Sequence, residues 1–73
     1  MSFSYDTRTK YIMINDKHCV YHVDGTHVFY YKENGQIIKL TKEEIVDLKR
    51  SAKWFITNRD ADFGPELNEF FLT

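Results

Sequence analysis

The chain has 73 residues, a formal net charge of −1 and one cysteine, and a chain of this size buries only about 60% of the surface its unfolded form exposes, so it supports one small core. Cys19 cannot close an internal disulfide, no secretory leader is legible between Met1 and Asn15, and no run approaches the roughly 18 apolar residues of a membrane-spanning helix. These features imply one soluble domain over residues 1–73, at home in a reducing cytoplasm, and exclude a disulfide scaffold and an integral helical membrane protein.

Four strands are expected first, at residues 10–15, 18–23, 26–32 and 36–40, each rich in β-branched and aromatic types. They are separated by Asn15-Asp16, Asp24-Gly25 and Asn34-Gly35. The last two are strong hairpin signals, because Asp-Gly and Asn-Gly tolerate the positive φ angles of a type I′ turn. Thr41 with Glu44 three residues later forms a capping box, so a helix is expected from Lys42. Ile45, Leu48, Ala52, Phe55 and Ile56 then recur at three- and four-residue steps, opposite Lys42, Glu43, Asp47, Lys49, Arg50 and Lys53, as far as about Arg59. Asp60 to Gly64 breaks the pattern, and Pro65 suits the first position of a short helix over 65–72. The fold class is therefore α+β: a four-stranded antiparallel β-meander followed by one amphipathic helix and a short C-terminal helix.

Two-residue loops at both glycine turns would pair Val20 with Phe29, His22 with His27 and Tyr31 with Ile38. One sheet face then collects His18, Val20, His22, His27, Phe29, Tyr31, Ile38 and Leu40, the more continuous apolar patch, and is assigned to the helix. The other collects Cys19, Tyr21, Val23, Thr26, Val28, Tyr30, Lys32, Ile37 and Lys39. It is too apolar for a plain solvated surface and too charged at its rim for a core, which marks either a contact site or a face covered by Leu67, Phe70 and Phe71 or by Phe3 and Tyr5. The first strand leaves two options: a three-residue loop at 15–17 turns Ile12 and Ile14 toward the helix, and an even loop turns Tyr11 and Met13 there.

Charge is uneven along the chain. Residues 1–59 carry ten Lys and Arg against seven Asp and Glu, whereas residues 60–73 carry Asp60, Asp62, Glu66, Glu69 and no base. The acidic tail either folds back onto the basic body or docks on a basic partner.

Chemistry-bearing clusters are thin. His18 and His22 lie about 13 Å apart on an extended strand at roughly 3.3 Å per residue, and His22 with His27 gives two ligands where a structural zinc takes four, so no metal or other cofactor is expected. Cys19 has no base beside it, and no phosphate loop or nucleophile elbow is present, which argues against an enzyme. What remains is a non-catalytic protein-binding module, a small adaptor or inhibitor of the type encoded by viruses and mobile elements, acting in the cytoplasm of its cell or host. The contact residues are assigned to Tyr21, Tyr30, Lys32, Ile37 and Lys39 on the open face, with Asp60, Asp62, Phe63, Phe70 and Phe71 in the tail, and Trp54 as either a core or a contact residue. The partner would be a protein, a second copy included, and not a membrane. The alternative is a single-stranded nucleic-acid binder in which the tyrosines stack bases and the lysines meet phosphates, although the near-neutral charge speaks against it.

Overall fold

The computed structural model describes residues 2–73. The α+β class holds. Among the described residues six short strands form two three-stranded antiparallel sheets, ordered β1-β2-β3 and β4-β5-β6, with two helices. The strands are β1 (Phe3–Tyr5), β2 (Ile12–Ile14), β3 (His18–Cys19), β4 (Tyr21–His22), β5 (Phe29–Glu33) and β6 (Gln36–Lys39), followed by α1 (Lys42–Arg59) and α2 (Pro65–Leu72).

The single four-stranded meander is corrected in two places. Phe3–Tyr5 adds a strand that pairs with β2 in the register Phe3↔Ile14 and Tyr5↔Ile12. The expected strand 18–23 is divided at Val20, whose first half bonds to β2 and whose second half bonds to β5. Val20 N still donates to Ile12 O at 2.8 Å, but the next step of that ladder fails. Lys10 stands at φ 67° and its N–H donates to Asp6 O at 2.8 Å instead. The Asp6 carboxylate accepts the N–H groups of Arg8 and Thr9, and these two bonds hold its pKa below the usual carboxylate range. A lysine in the left-handed region costs roughly 1–2 kcal/mol, so this closed loop holds β2 to three residues against that cost.

The turns set the remaining register. Residues 15–17 form the three-residue loop, with Asn15 and Asp16 both left-handed, and Ile12 and Ile14 are consequently buried. Asn34 and Gly35, at φ 52° and 78°, make the expected two-residue turn, pairing Glu33 with Gln36 and Tyr31 with Ile38. Asp24-Gly25 does not. Of its two central residues only Gly25 is left-handed, and Thr26 closes the turn by donating to Val23 O from both its N–H and its hydroxyl. The loop therefore runs over 24–27, His22 faces Phe29 rather than His27, and Tyr21 faces Tyr30. This displaces the pairing by two residues, and side chains alternate with a period of two, so every residue of β4 and β5 keeps its face.

Val20, Phe29 and Leu40 from the sheets join Ile12, Ile14, Leu48, Ala52 and Phe71 in one buried cluster. The helices thus cover the face assigned to them. Thr41 Oγ1 accepts from Glu44 N while Glu44 Oε1 accepts from Thr41 N, completing the capping box. Leu48 is fully buried, a burial that stabilises by roughly 1.5–3 kcal/mol. Phe3 packs against the same cluster and Tyr5 stacks on Phe55 at 5.8 Å, so the N-terminal aromatics lie on the helix side.

Two substitutions test this frame. Gly35→Ala meets no atom within 4 Å, so its cost is backbone strain alone, about 1–2 kcal/mol. Thr41→Ala removes the cap and is expected to cost about 1 kcal/mol. Urea unfolding followed by circular dichroism reads both, and an unchanged midpoint for Gly35→Ala contradicts the left-handed turn.

Candidate functional site

The register orders the uncovered face in rows. Tyr21, Tyr30 and Lys39 face one another across β4, β5 and β6, and Lys32 faces Ile37 in the next row. The Tyr21 and Tyr30 rings stack at 5.4 Å with a 26° tilt, and Lys32 Nζ lies 5.8 Å from the Tyr21 ring centre. Tyr11 extends the ladder, edge-on to Tyr21 at 5.9 Å. Ile37 is 62% exposed, Tyr11 45%, Val23 43% and Val28 36%. Neither helix nor β1 covers this face, because the residues named as possible covers all pack on the other side. No carboxylate belongs to these rows, and neither Lys32 nor Lys39 forms an ion pair among the described residues.

Cys19 and Met13 face each other across β2 and β3 on the same side, with Cys19 Sγ 3.5 Å from Met13 Sδ. A thioether cannot take the thiol proton. The nearby Cys19 is the main electrostatic cause that pushes the Tyr21 phenol above its usual pKa, aided by desolvation and by the neighbouring Tyr11 and Tyr30. Tyr21 therefore stays neutral, and a hydrogen-bond donor, at physiological pH.

The tail residues separate into two roles. Phe71 is buried against Phe29 and Phe63, Phe63 meets Tyr5 edge-on at 5.7 Å, and Phe70 sits between the His27 ring at 4.2 Å and Lys49 Nζ at 4.6 Å. All three pack against the core, Phe71 buried and Phe63 and Phe70 partly so, because α2 presents its apolar side inward. Asp60 is exposed at the left-handed C-cap of α1, its N–H donating to Phe55 O. The Asp62 carboxylate accepts from Gly64 N at 3.0 Å and Asn68 Nδ2 at 2.8 Å, and Asn68 Oδ1 accepts from Phe63 N. The Gly64 bond, then the Asn68 bond, hold Asp62 below the usual carboxylate range. The tail folds back: Asp62 caps its own turn, and Glu66 accepts from Gly25 N in the 24–27 loop.

Trp54 is half exposed on α1, edge-on to Phe55 and under the Arg59 guanidinium at 5.6 Å. The histidines occupy three environments: His18 3.4 Å from Glu33, His22 against Thr26 O, and His27 on Phe70. No three His, Cys, Asp or Glu side chains converge among the described residues. Beside the tyrosine ladder, where the 9–12 segment parts from β4, a cleft of about 440 Å³ opens toward the core, with Tyr11 and Tyr21 among its lining residues.

Tyr11 and this cleft escaped the sequence reading. The three-residue loop that places Tyr11 on the open face was one of two options, and only the parity of the 15–17 turn decides between them. Comparison with protein-family models, curated proteins and solved structures finds no match.

The Asp62 clamp carries a pH dependence whose sign follows from its lowered pKa. A carboxylate titrating lower in the folded than in the unfolded chain stabilises fully above its unfolded value, and that contribution is lost as pH falls through the folded one. Asp62→Ala is expected to lower the urea midpoint at pH 7 and to differ less from the native chain at about pH 3, below the ordinary carboxylate range. A gap equal at both pH values contradicts the charged clamp.

Proposed function

We propose that this protein is a non-catalytic protein-binding module, an adaptor or inhibitor that occupies a partner's surface with the face carrying Tyr11, Tyr21, Tyr30, Lys32, Ile37 and Lys39. The uncovered, acid-free tyrosine ladder carries this reading. Contiguous exposed apolar area rimmed by polar groups is characteristic of contact sites. Tyrosine supplies large, stiff contact area with a polar tip and is enriched in interface cores. Lys32 and Lys39, free of ion pairs among the described residues, favour a partner surface that presents carboxylates and steer its approach.

A second reading, single-stranded nucleic-acid binding, draws on the proximity of Lys32 to the Tyr21 ring. It is weakened by the ladder's own geometry. Tyr21 and Tyr30 are stacked on each other, which occupies ring faces that bases would need. Catalysis finds less support, since the thiol neighbours a thioether rather than a base.

Affinity capture from a lysate, with and without nuclease, tests the proposal. Tyr30→Ala with Lys39→Glu is expected to reduce partner capture by about 30-fold or more, the effect of losing a central contact of 2 kcal/mol or above. Its far-UV circular dichroism should be unchanged, since both residues lie off the core. Unchanged capture, or collapse of the fold, counts against the open face as the contact surface. Capture that vanishes with nuclease and falls steeply with salt transfers the weight to nucleic acid.

A further inference from the structure

The cleft beside the ladder exists because β2 stops early. Ladder bonds alternate along a strand, and the bonds present fix their phase: Val20 N points to Ile12 O, Val23 N to Val28 O, and Leu40 N to Phe29 O. The N–H and C=O of His22 are therefore turned away from β5, toward the position a longer β2 would fill. Lys10 would be the pairing residue there, but its N–H is committed to Asp6 O. One wall of the cleft is thus an open strand edge. Its lining is mixed, with the buried core residues Ile12, Val20 and Phe29 among its walls beside polar Lys10, His22 and Asp62, and its 440 Å³ lies within the range of sites that enclose a bound group. Lys10 lines the cleft without a carboxylate partner among the described residues, whereas Asp62, which also lines it, is held by Gly64 and Asn68.

We propose that this cleft receives an extended segment of the partner protein, which adds to the β4 edge by pairing its backbone with His22. A large apolar side chain of that segment, tryptophan or phenylalanine, enters the cleft, and a carboxylate two residues away on the same side of the strand meets Lys10. Strand addition supplies affinity through main-chain bonds and specificity through a pocket for alternate side chains, and the open edge and the pocket are both present here. The inference rests on the protein-binding reading and identifies what the partner contributes beside the tyrosine ladder.

The test titrates the isotope-labelled full chain with a capped seven-residue peptide of threonines carrying a central tryptophan and an aspartate two residues after it, read by amide NMR. Saturable shifts are expected at His22, Tyr11 and Leu67, and the same peptide with alanine for tryptophan should not saturate. His22→Pro deletes the outward N–H without removing a ladder bond, which an edge strand tolerates, and should weaken binding about tenfold or more, the worth of a lost backbone bond. No saturation below about 1 mM, or binding indifferent to the tryptophan, overturns the inference even if His22→Pro does not fold. The Tyr30→Ala, Lys39→Glu chain separates the two readings. Peptide binding retained while this variant still captures the partner overturns the open-face reading alone, whereas partner capture lost in it, with no peptide bound by the native chain, overturns the cleft alone.

Discussion

Among the described residues one backbone hydrogen bond joins the two sheets, from Val20 N to Ile12 O. On its near side the 18–22 run belongs to β2, and on its far side to β5. Val20 itself is buried among Ile12, Phe29 and Leu48, so the crossing point is also a point of the core. Had β2 run on past Ile12, the sheet would be continuous, His22 would be paired and no cleft would lead to the core. The Asp6–Tyr11 loop prevents this by holding Lys10 left-handed, with Asp6 N donating to Tyr11 O and Lys10 N to Asp6 O. Local strain in one loop thereby determines the shape of a surface.

The two faces of the sheet were legible in the sequence although one hairpin was not. The Asp24-Gly25 loop is longer by two residues than a tight turn, and two is the side-chain period, so Val20 and Phe29 stayed inward and Tyr21 and Tyr30 outward. An error of one residue would have exchanged core for surface. The helices were legible for a different reason: the Thr41–Glu44 box and Pro65 act through neighbouring backbone alone and need no tertiary partner to be read.

What could not be read depended on contacts remote in sequence. Nothing local marks Phe3–Tyr5 as a strand, since three residues show too little alternation and its pairing with β2 is supported by Tyr5 stacking on Phe55. The break at Val20 follows from the conformation of Lys10, a residue type that rarely adopts it. The tail was ambiguous because Phe63, Phe70 and Phe71 have the same apolar surface whether they meet this core or another protein's. Gly25 N donating to Glu66 and Phe70 resting on His27 tie α2 to the 24–27 loop, a segment whose length the sequence itself misstates.

The distribution of aromatic residues adds an argument independent of the register. Phe3, Phe29, Phe55, Phe63, Phe70 and Phe71 all pack in or against the core, whereas Tyr11, Tyr21 and Tyr30 line up on the uncovered face. A phenyl ring gains only by leaving water; a phenol keeps a polar tip that is satisfied by water when free and by a partner when bound. Tyr5 and Tyr31, on the helix side, show that tyrosine is not barred from it. Phenylalanine is nevertheless missing from the open rows, where three adjacent phenyl rings would cost solubility without offering a donor. A protein that only needed a covered core would place threonine or lysine in those rows. The stacked, partly buried Tyr21 and Tyr30, with exposed Tyr11 beside them and lysines unpaired among the described residues, leave apolar area in water, and the proposed contact rests on that area.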